Sequence, residues 1–323
     1  MASIVIPTIN RPALLRKCLQ ALFKQTVVHS CYEIIVVTDG PDVATLDMAS
    51  ALKRAKGPLP RLRIVSLPGH RGPAAARNTG WRMARGRLVI FTDDDCIPSP
   101  RFVDAYLKRF RFHTNQPVAF TGKVLVPVSK VPTDYEKNIA QLEKASFITA
   151  NCAISMEALE QTGGFDEDFT MAWREDSAME FCLMKHGIPI HFVFDAVVRH
   201  PVRKAPWGVS LRSEKKNIFN VLLYKKYTVM YKRSIQARPP LLYYAILFSI
   251  LGMLVAGLFS QLLLFACLIS WAFFTSLLVY RRLQGTSHEP SHVVEIILTS
   301  MAIPLLSIFW NTYGCIRYKC LLI

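Results

Sequence analysis

Residues 241–259 and 262–280 carry no charged side chain, and only Ser260-Gln261 separates the two runs. At ~1.5 Å per helical residue each run covers roughly 28 Å, about the hydrocarbon thickness of a bilayer. Helices of that length and purity are uncommon in the cores of water-soluble folds. The pattern predicts a transmembrane hairpin with a very tight turn; one long, tilted helix is the alternative. Basic residues crowd ahead of the pair and Arg281-Arg282 follow it, so both ends are expected on the cytoplasmic side. A third apolar stretch, 293–316, holds Glu295 and Pro304 and ends at Arg317 and Lys319. It reads equally as a span or as a re-entrant or interfacial segment.

The residues before the hairpin, 203–238, are strongly basic, with Arg203, Lys204, Arg212, Lys215, Lys216, Lys225, Lys226, Lys232, Arg233 and Arg238. Ile218, Phe219, Leu222, Leu223 and Tyr227 interleave at helical spacing. A helix lying on the membrane surface is expected there. An ordinary amphipathic helix packed on its neighbour is the alternative. The whole chain has a net charge of +16 and is 51% hydrophobic. That combination calls for an anionic partner: nucleic acid, a sugar nucleotide or an anionic membrane face. Because the cations gather beside the apolar runs, lipid accounts for them and no nucleic-acid partner is expected.

Residues 1–202 have a different texture. SIVIPT, EIIVVT, LRIVSL and RLVIFT are short, almost wholly apolar strand candidates, as expected where both faces of a sheet are covered. Helical patterns lie between them. One starts at Asn10 as N-cap with Pro12 in the first turn, and another runs from Pro73 to about Ala84. Strand alternating with helix predicts an α/β fold with a mostly parallel, Rossmann-like sheet and helices on both faces. VAFTGKVLVPV, SFITANCAIS and HFVFDAVVRH are further extended segments, and WREDSAMEFCLMKHG is a helix stopped at Gly187. MASIVIPTINRP reads as the first strand, not as a cleavable leader. The 8 cysteines form no CxxC pair and no zinc spacing, which predicts reduced thiols in a cytoplasmic compartment.

Ligands of such sheets bind beyond the carboxyl ends of the strands, where Asp39, Asp93, Asp94 and Asp95 fall. In FTDDDC, Asp93 and Asp95 share one side of an extended backbone. Paired carboxylates suit Mg²⁺ or Mn²⁺, which take oxygen ligands and share coordination with substrate phosphates. A solvated acidic turn is the other reading. HRGPAAARNTG places Arg77 in a helix that opens after a glycine, suited to phosphate, or to an ordinary surface charge. VVTDGPD leaves Asp39 at a strand end. GGFDEDFTMAWREDSAMEF puts Glu175 and Asp176 at a helix start, where the helix dipole is expected to keep a carboxylate ionised as a general base. An N-terminal acidic cap is the competing use.

Taken in order, IVIPTINRPALLRKCLQALFKQT, IIVVTDGPD, GPAAARNTGW, FTDDDC and GGFDEDF followed by WREDSAMEFCL resemble the family-two glycosyltransferases of GT-A fold over residues 1 to about 200. The resemblance implies that Pro7, Thr8, Asp39, Arg77, Asp93 and Asp94 bind the nucleotide-sugar donor, Asp39 at the base. It implies Asp95 with Asp93 as metal ligands for Mg²⁺ or Mn²⁺, His200 as a further metal or phosphate contact, and Asp176 as catalytic base. Thr38 and Cys96 stand where relatives often have acidic residues. No QxxRW segment occurs, which argues for transfer of a single sugar. The expected function is inverting, metal-dependent transfer, with a UDP-sugar slightly favoured over a GDP-sugar. The acceptor is expected to be lipid-linked and the enzyme a multi-pass protein of the cell membrane with its catalytic domain cytoplasmic. A tethered enzyme acting on a soluble glycan or protein, and an inactive nucleotide-binding scaffold, are the alternatives. The implied domains are 1–202 catalytic, 203–238 juxtamembrane and 239–323 membrane.

Overall fold

The computed structural model describes residues 1–54, 59–235 and 237–322. In chain order the elements are β1 (Ala2–Thr8), α1 (Pro12–Leu22), β2 (Tyr32–Thr38), α2 (Val43–Arg54), β3 (Arg61–Ser66), α3 (Pro73–Arg82), β4 (Leu88–Thr92) and β5 (Ile97–Pro98). Then come α4 (Phe102–Phe110), β6 (Ala119–Leu125), α5 (Asp134–Ile139), β7 (Asn151–Ser155), α6 (Met156–Thr162), α7 (Glu175–Lys185) and β8 (Ile190–Arg199). The last are α8 (Val209–Ser213), α9 (Ile218–Lys226), α10 (Thr228–Ser234), α11 (Leu241–Ala256), α12 (Gln261–Leu283) and α13 (Pro290–Tyr318). Two compact units result: Met1–Pro127 with Gln141–Pro201, and Val128–Ala140 with Val202–Ile323. The excursion that sends α5 to the second unit leaves no mark in the hydropathy pattern.

The first unit is built on an 8-stranded sheet of order β3-β2-β1-β4-β7-β6-β8-β5. β1 pairs in parallel with β2 and β4, and β2 with β3. β7 runs antiparallel to both β4 and β6, so the sheet is mixed beyond its N-terminal half. Every residue of β2 and β4 is buried, on both pleat directions, so both sheet faces are covered there. The chain winds outward from β1 through β2 to β3 and returns to the other side of β1 as β4. That reversal opens a crevice beyond the carboxyl ends of β1 and β4, the usual ligand position in such sheets.

Helix α1 begins at Pro12 and its N-cap is Arg11, with no side-chain cap bond. The expected cap, Asn10, instead takes a left-handed backbone with φ 51° and donates its N–H to Asp42 Oδ2 at 2.7 Å. Asparagine tolerates that conformation, and proline at the first helical position needs no donor satisfied. The tertiary bond therefore displaces the local cap.

The β6–β8 pairing jumps in register between Gly122 and Lys123. Fully buried Asn151 closes the irregularity: its Nδ2 donates to the carbonyls of Lys123 and Ala196, both at 2.9 Å, and its Oδ1 accepts from Tyr106 at 2.6 Å. A Cβ at Gly122 would lie 2.4 Å from the Ala196 oxygen, so the backbones meet only because the residue is glycine. Asn151→Ala strips three buried groups of their partner and is expected to cost about 3 kcal/mol of unfolding free energy by denaturant titration. It also loosens β8, the strand that delivers His200.

In the second unit, the segment expected to lie on a membrane as one amphipathic helix is divided into α8, α9 and α10. Ile218, Phe219, Leu222 and Leu223 are buried, and a Cβ at Gly314 of α13 would lie 3.1 Å from the Val221 side chain. The apolar face of α9 is thus spent on α13 and is not offered to lipid, a correction to the surface-helix expectation. The apolar runs form α11 and α12 with a short turn between them. The stretch left undecided is one continuous helix, α13, with Pro304 inside it. Among the described residues two helices, α12 and α13, are long and apolar enough to cross a membrane by length and composition; α11 is shorter. His292, Thr299, Ser300, Ser307 and Asn311 line the buried side of α13. Arg282 is part of this packing, bonded to Asp134 at 2.7 Å and donating to Thr299 and Ser300. The 8 cysteines are all free thiols.

Candidate active site

Strand ends of the first unit gather the acidic residues into one row. The backbone N–H of Asp39 donates to Thr8 O at 2.9 Å, joining the ends of β2 and β1. Thr8 Oγ1 in turn donates to Asp94 Oδ2 at 2.7 Å, joining β1 to the segment after β4. Pro7 lies half-buried at the same end of β1, in register with Val37.

The three aspartates after β4 do not alternate along an extended strand. Cys96 N–H donates to Asp93 O at 3.2 Å, so they sit in a turn, and the carboxylates diverge to different partners. Asp93 meets Arg77 Nη2 at 2.8 Å. Asp94, buried, takes Thr8 and, at 3.4 Å, Arg11. Asp95 faces His200 Nε2 at 3.5 Å. The separate partners offset part of the repulsion among the three adjacent charges, and Asp95 and Asp93 still act to raise the Asp94 pKa. Burial is the main force pushing Asp94 up to about 6, against the Thr8 hydrogen bond and the Arg11 charge.

Arg77 is only 2% exposed. Its second terminal nitrogen reaches Glu175 Oε1 at 3.4 Å, and its Nε has no partner among the described residues. The guanidinium therefore bridges the Asp93 turn to the first turn of α7, where the sequence pattern had it facing phosphate. Asn78, one residue on, is likewise consumed. It donates to Phe165 O at 2.8 Å and to Glu167 at 2.8 Å, and accepts from Phe165 N–H at 2.8 Å, tying α3 to the GGFDE loop.

Glu175 and Asp176 open α7 behind Arg174, whose φ of 72° is left-handed. Glu175 is buried; Asp176 is half-buried and accepts from Ser177 N–H at 2.7 Å. Burial raises the Asp176 pKa despite its place at a helix N-terminus, the reverse of the dipole expectation. A raised pKa makes the carboxylate a stronger base near neutral pH. Glu175 is pushed up to about 7, first by burial and then by the Asp176 charge, against the pull of Arg77. Between its ordinary value of 4.5 and about 7, the folded chain holds this proton and the unfolded chain does not. Stability is therefore expected to fall as pH rises through that window. Urea midpoints of wild type should decline there, and Glu175→Gln should flatten the slope.

His200 follows β8, with its N–H on Leu125 O at 2.8 Å and its buried Nδ1 lacking a partner among the described residues. Donor atoms of Asp95, Cys96 and His200 lie within 4.8 Å of one another. The expected pair Asp93 and Asp95 does not form this group, because Arg77 holds Asp93. Burial, followed by the neighbouring aspartates Asp93 and Asp95, drives the Cys96 thiol far above its usual value, so it stays protonated and is a poor ligand. An aspartate oxygen and an imidazole nitrogen with an orphaned partner nitrogen fit a divalent cation that completes its shell with phosphate oxygens. Sequence reasoning singled out Pro7, Thr8, Asp39, Arg77, Asp93, Asp94, Asp95, Asp176 and His200 and named Glu175 beside Asp176, but it did not reveal that Arg11 pairs with Asp94 or Glu175 with Arg77, partners distant in the chain.

Residues 3–163 match the model of the glycosyl transferase family 2, and residues 133–280 that of the glycosyl transferase family group 2. The validoxylamine A glucosyltransferase of Streptomyces hygroscopicus subsp. limoneus is 26% identical over 68% of this chain and 54% of its own length. Glycosyltransferase AglE of Haloferax volcanii is 33% identical over 32% of this chain and 33% of its own. The chain spans little more than half the length of the first curated relatives it matches. Among solved structures, the mannosyltransferase PcManGT from Pyrobaculum calidifontis, in complex with GDP-Man and Mn²⁺, superposes with a TM-score of 0.59 at 20% identity, over 97% of this chain and 87% of that one. The S. aureus TarS 1-349 complex with UDP-GlcNAc gives 0.53 at 14% identity, over 100% and 93%. The sheet with its strand-end carboxylates and the two family matches lead to one conclusion: the chain belongs to the family-two glycosyltransferases.

Proposed function

We propose that the protein transfers one sugar, with inversion, from a nucleoside-diphosphate sugar to an acceptor presented at a membrane. The observation that carries this reading is the hydrogen-bonded bridge from Asp93 through Arg77 to Glu175, which leaves Asp176 half-exposed beside it. The donor lies beyond β1 and β4. Asp176 takes the proton of the acceptor hydroxyl as that oxygen attacks the anomeric carbon. The bond from the anomeric carbon to the diphosphate breaks on the opposite face, and the nucleoside diphosphate departs. A bound Mg²⁺ or Mn²⁺, for which Asp95 and His200 are the fitting residues, supplies a Lewis acid that offsets charge on the departing diphosphate. UDP or GDP carries the sugar, with UDP slightly favoured.

Membrane association is supported by α12, whose Leu262, Phe265, Ile269 and Phe273 are 80%, 60%, 69% and 62% exposed at helical spacing. With Arg281 and the basic segment 203–238 flanking the apolar helices, the catalytic unit lies on the cytoplasmic side. A lipid-linked acceptor fits a second-unit cavity of about 720 Å³ where Arg203 and Lys204 meet Tyr243, Ile296 and Ile303. Charged groups of both signs, Asp134, Glu214 and Glu295 among them, stand beside the apolar wall, a mixture that suits an amphiphile. The test is nucleotide release by the detergent-solubilised protein across a panel of sugar nucleotides, with Mn²⁺, Mg²⁺ or EDTA and with or without membrane lipid extract. Release that requires one donor, a divalent ion and the extract is expected. Release unaffected by EDTA removes the metal from the proposal, and release to soluble acceptors alone removes the lipid.

A further inference from the structure

We infer that α13 does not cross the membrane but lies along one bilayer surface, at the base of the α11–α12 hairpin, with its apolar row in lipid. The inference rests on the membrane reading of the second unit and decides where its longest helix sits.

The two faces of α13 are the reverse of what water selects. Val294, Leu298, Met301, Leu305, Phe309 and Tyr313 recur every three or four residues and are between 37% and 56% exposed. The opposite face, from His292 through Thr299, Ser300 and Ser307 to Asn311, is polar and buried. A helix that turns polar groups inward and an uncharged apolar row outward fits hydrocarbon on its outer side. Length and composition alone would let it span.

What covers the inner face opposes a crossing. The segment 208–225 runs beside α13 in the same direction. Gly208 N–H donates to Glu295 Oε1 at 2.7 Å, Asn217 Nδ2 to Ser307 Oγ at 3.4 Å, and Lys225 Nζ to the Tyr318 carbonyl at 2.8 Å. Lys215 Nζ stands 5.9 Å from the centre of the Trp310 ring. At ~1.5 Å per residue the stretch of α13 from Glu295 to Tyr318 covers roughly 35 Å, more than the hydrocarbon core. A crossing α13 would therefore draw Arg212, Lys215, Lys216 and Lys225 into hydrocarbon, where each charge is costly. In the interface the same cations meet anionic headgroups, supplying the charge that such helices usually carry on their own polar face. The hairpin bears no such burden, since residues 241–280 hold no charge. Its base is fastened to α13 by Arg282, which donates to Thr299 and Ser300. The buried residues of α12, Thr275 and Leu278, lie toward that end, which leaves the rest of the helix to enter the bilayer. An in-plane α13 also keeps Arg317 and Lys319 on the same side as the basic segment, as the distribution of cations across membranes favours.

Photolabelling of the wild-type protein in vesicles of phosphatidylcholine and phosphatidylglycerol tests this. One lipid probe carries a diazirine near its ester carbonyls and another at its chain ends, and adducts are located by mass spectrometry. The shallow probe should label α13 evenly from Val294 to Tyr313. The deep probe should label Leu251 and Ile269 of the hairpin and lose α13. Deep labelling centred on Leu305 and falling toward both ends of α13 is the signature of a span and overturns the inference. Probes that reach the hairpin and both miss α13 show its apolar row covered by protein, which overturns it equally. No adduct within 241–316 from either probe overturns the membrane reading itself, a different result. In inverted membrane vesicles, exposed Lys319 should react with an impermeant amine reagent together with exposed Lys17 of the first unit. Lys319 reactive only from the opposite face makes α13 a span and again overturns the inference.

Discussion

Asp176→Asn is expected to lower turnover by about 10²–10⁴-fold while leaving donor affinity unchanged. Asparagine has the same shape, and its amide oxygen still accepts from Ser177 N–H, so the first turn of α7 stays in place. Only the capacity to take a proton is lost. Wild-type turnover should also fall on the acid side at a pH above the ordinary aspartate range, because burial raises the Asp176 pKa. That acid limb should vanish from the residual activity of the variant. Glu175→Gln is the necessary comparison, since it changes the adjacent charge without touching the base. Full turnover in Asp176→Asn, at unchanged pH dependence, removes the general-base role. Such a result points to an acceptor that is itself a phosphate and has no proton to lose.

The strands of the first unit were legible because β2 and β4 are buried on both faces and so are written in β-branched and apolar residues. The acidic row was legible because strand ends at a crevice are where carboxylates have no structural reason to accumulate. What the sequence does not display is pairing. Arg77 reads as a phosphate ligand when only its helix and preceding glycine are visible, yet Asp93 and Glu175, 16 and 98 residues away, take its guanidinium. Asn10 reads as a cap until Asp42 claims its backbone. The basic segment before the apolar helices shows the same limit from another side. Spacing revealed that Ile218, Phe219, Leu222 and Leu223 share a face, but not that α13 covers it. Periodicity specifies that a face must be buried; it says nothing of what buries it.

Arg77→Met is expected to lower the unfolding free energy by about 3–5 kcal/mol, the cost of leaving buried charges without their counter-ion. Methionine fills much the same volume, so packing against Phe165 survives and the loss is electrostatic. Arg77→Lys should recover only part of it, because one ammonium cannot serve both Asp93 and Glu175 with the fixed fork that a guanidinium supplies. The decisive comparison is Arg77→Met with Glu175→Gln in one chain. If the bridge exists, then above a pH of about 7, where Glu175 must carry or give up its charge, replacing it by Gln relieves one stranded carboxylate, and the double variant is more stable there than Arg77→Met alone. Denaturant titration of the four chains yields that coupling directly. The same variants discriminate the two roles open to this arginine. A residue that binds diphosphate costs donor affinity and little stability when removed. A residue that holds the Asp93 turn against α7 costs stability first, and donor affinity only through displacement of the turn. Stability equal to wild type with donor binding abolished therefore refutes the bridge and returns Arg77 to the phosphate-binding role suggested by its position after the glycine.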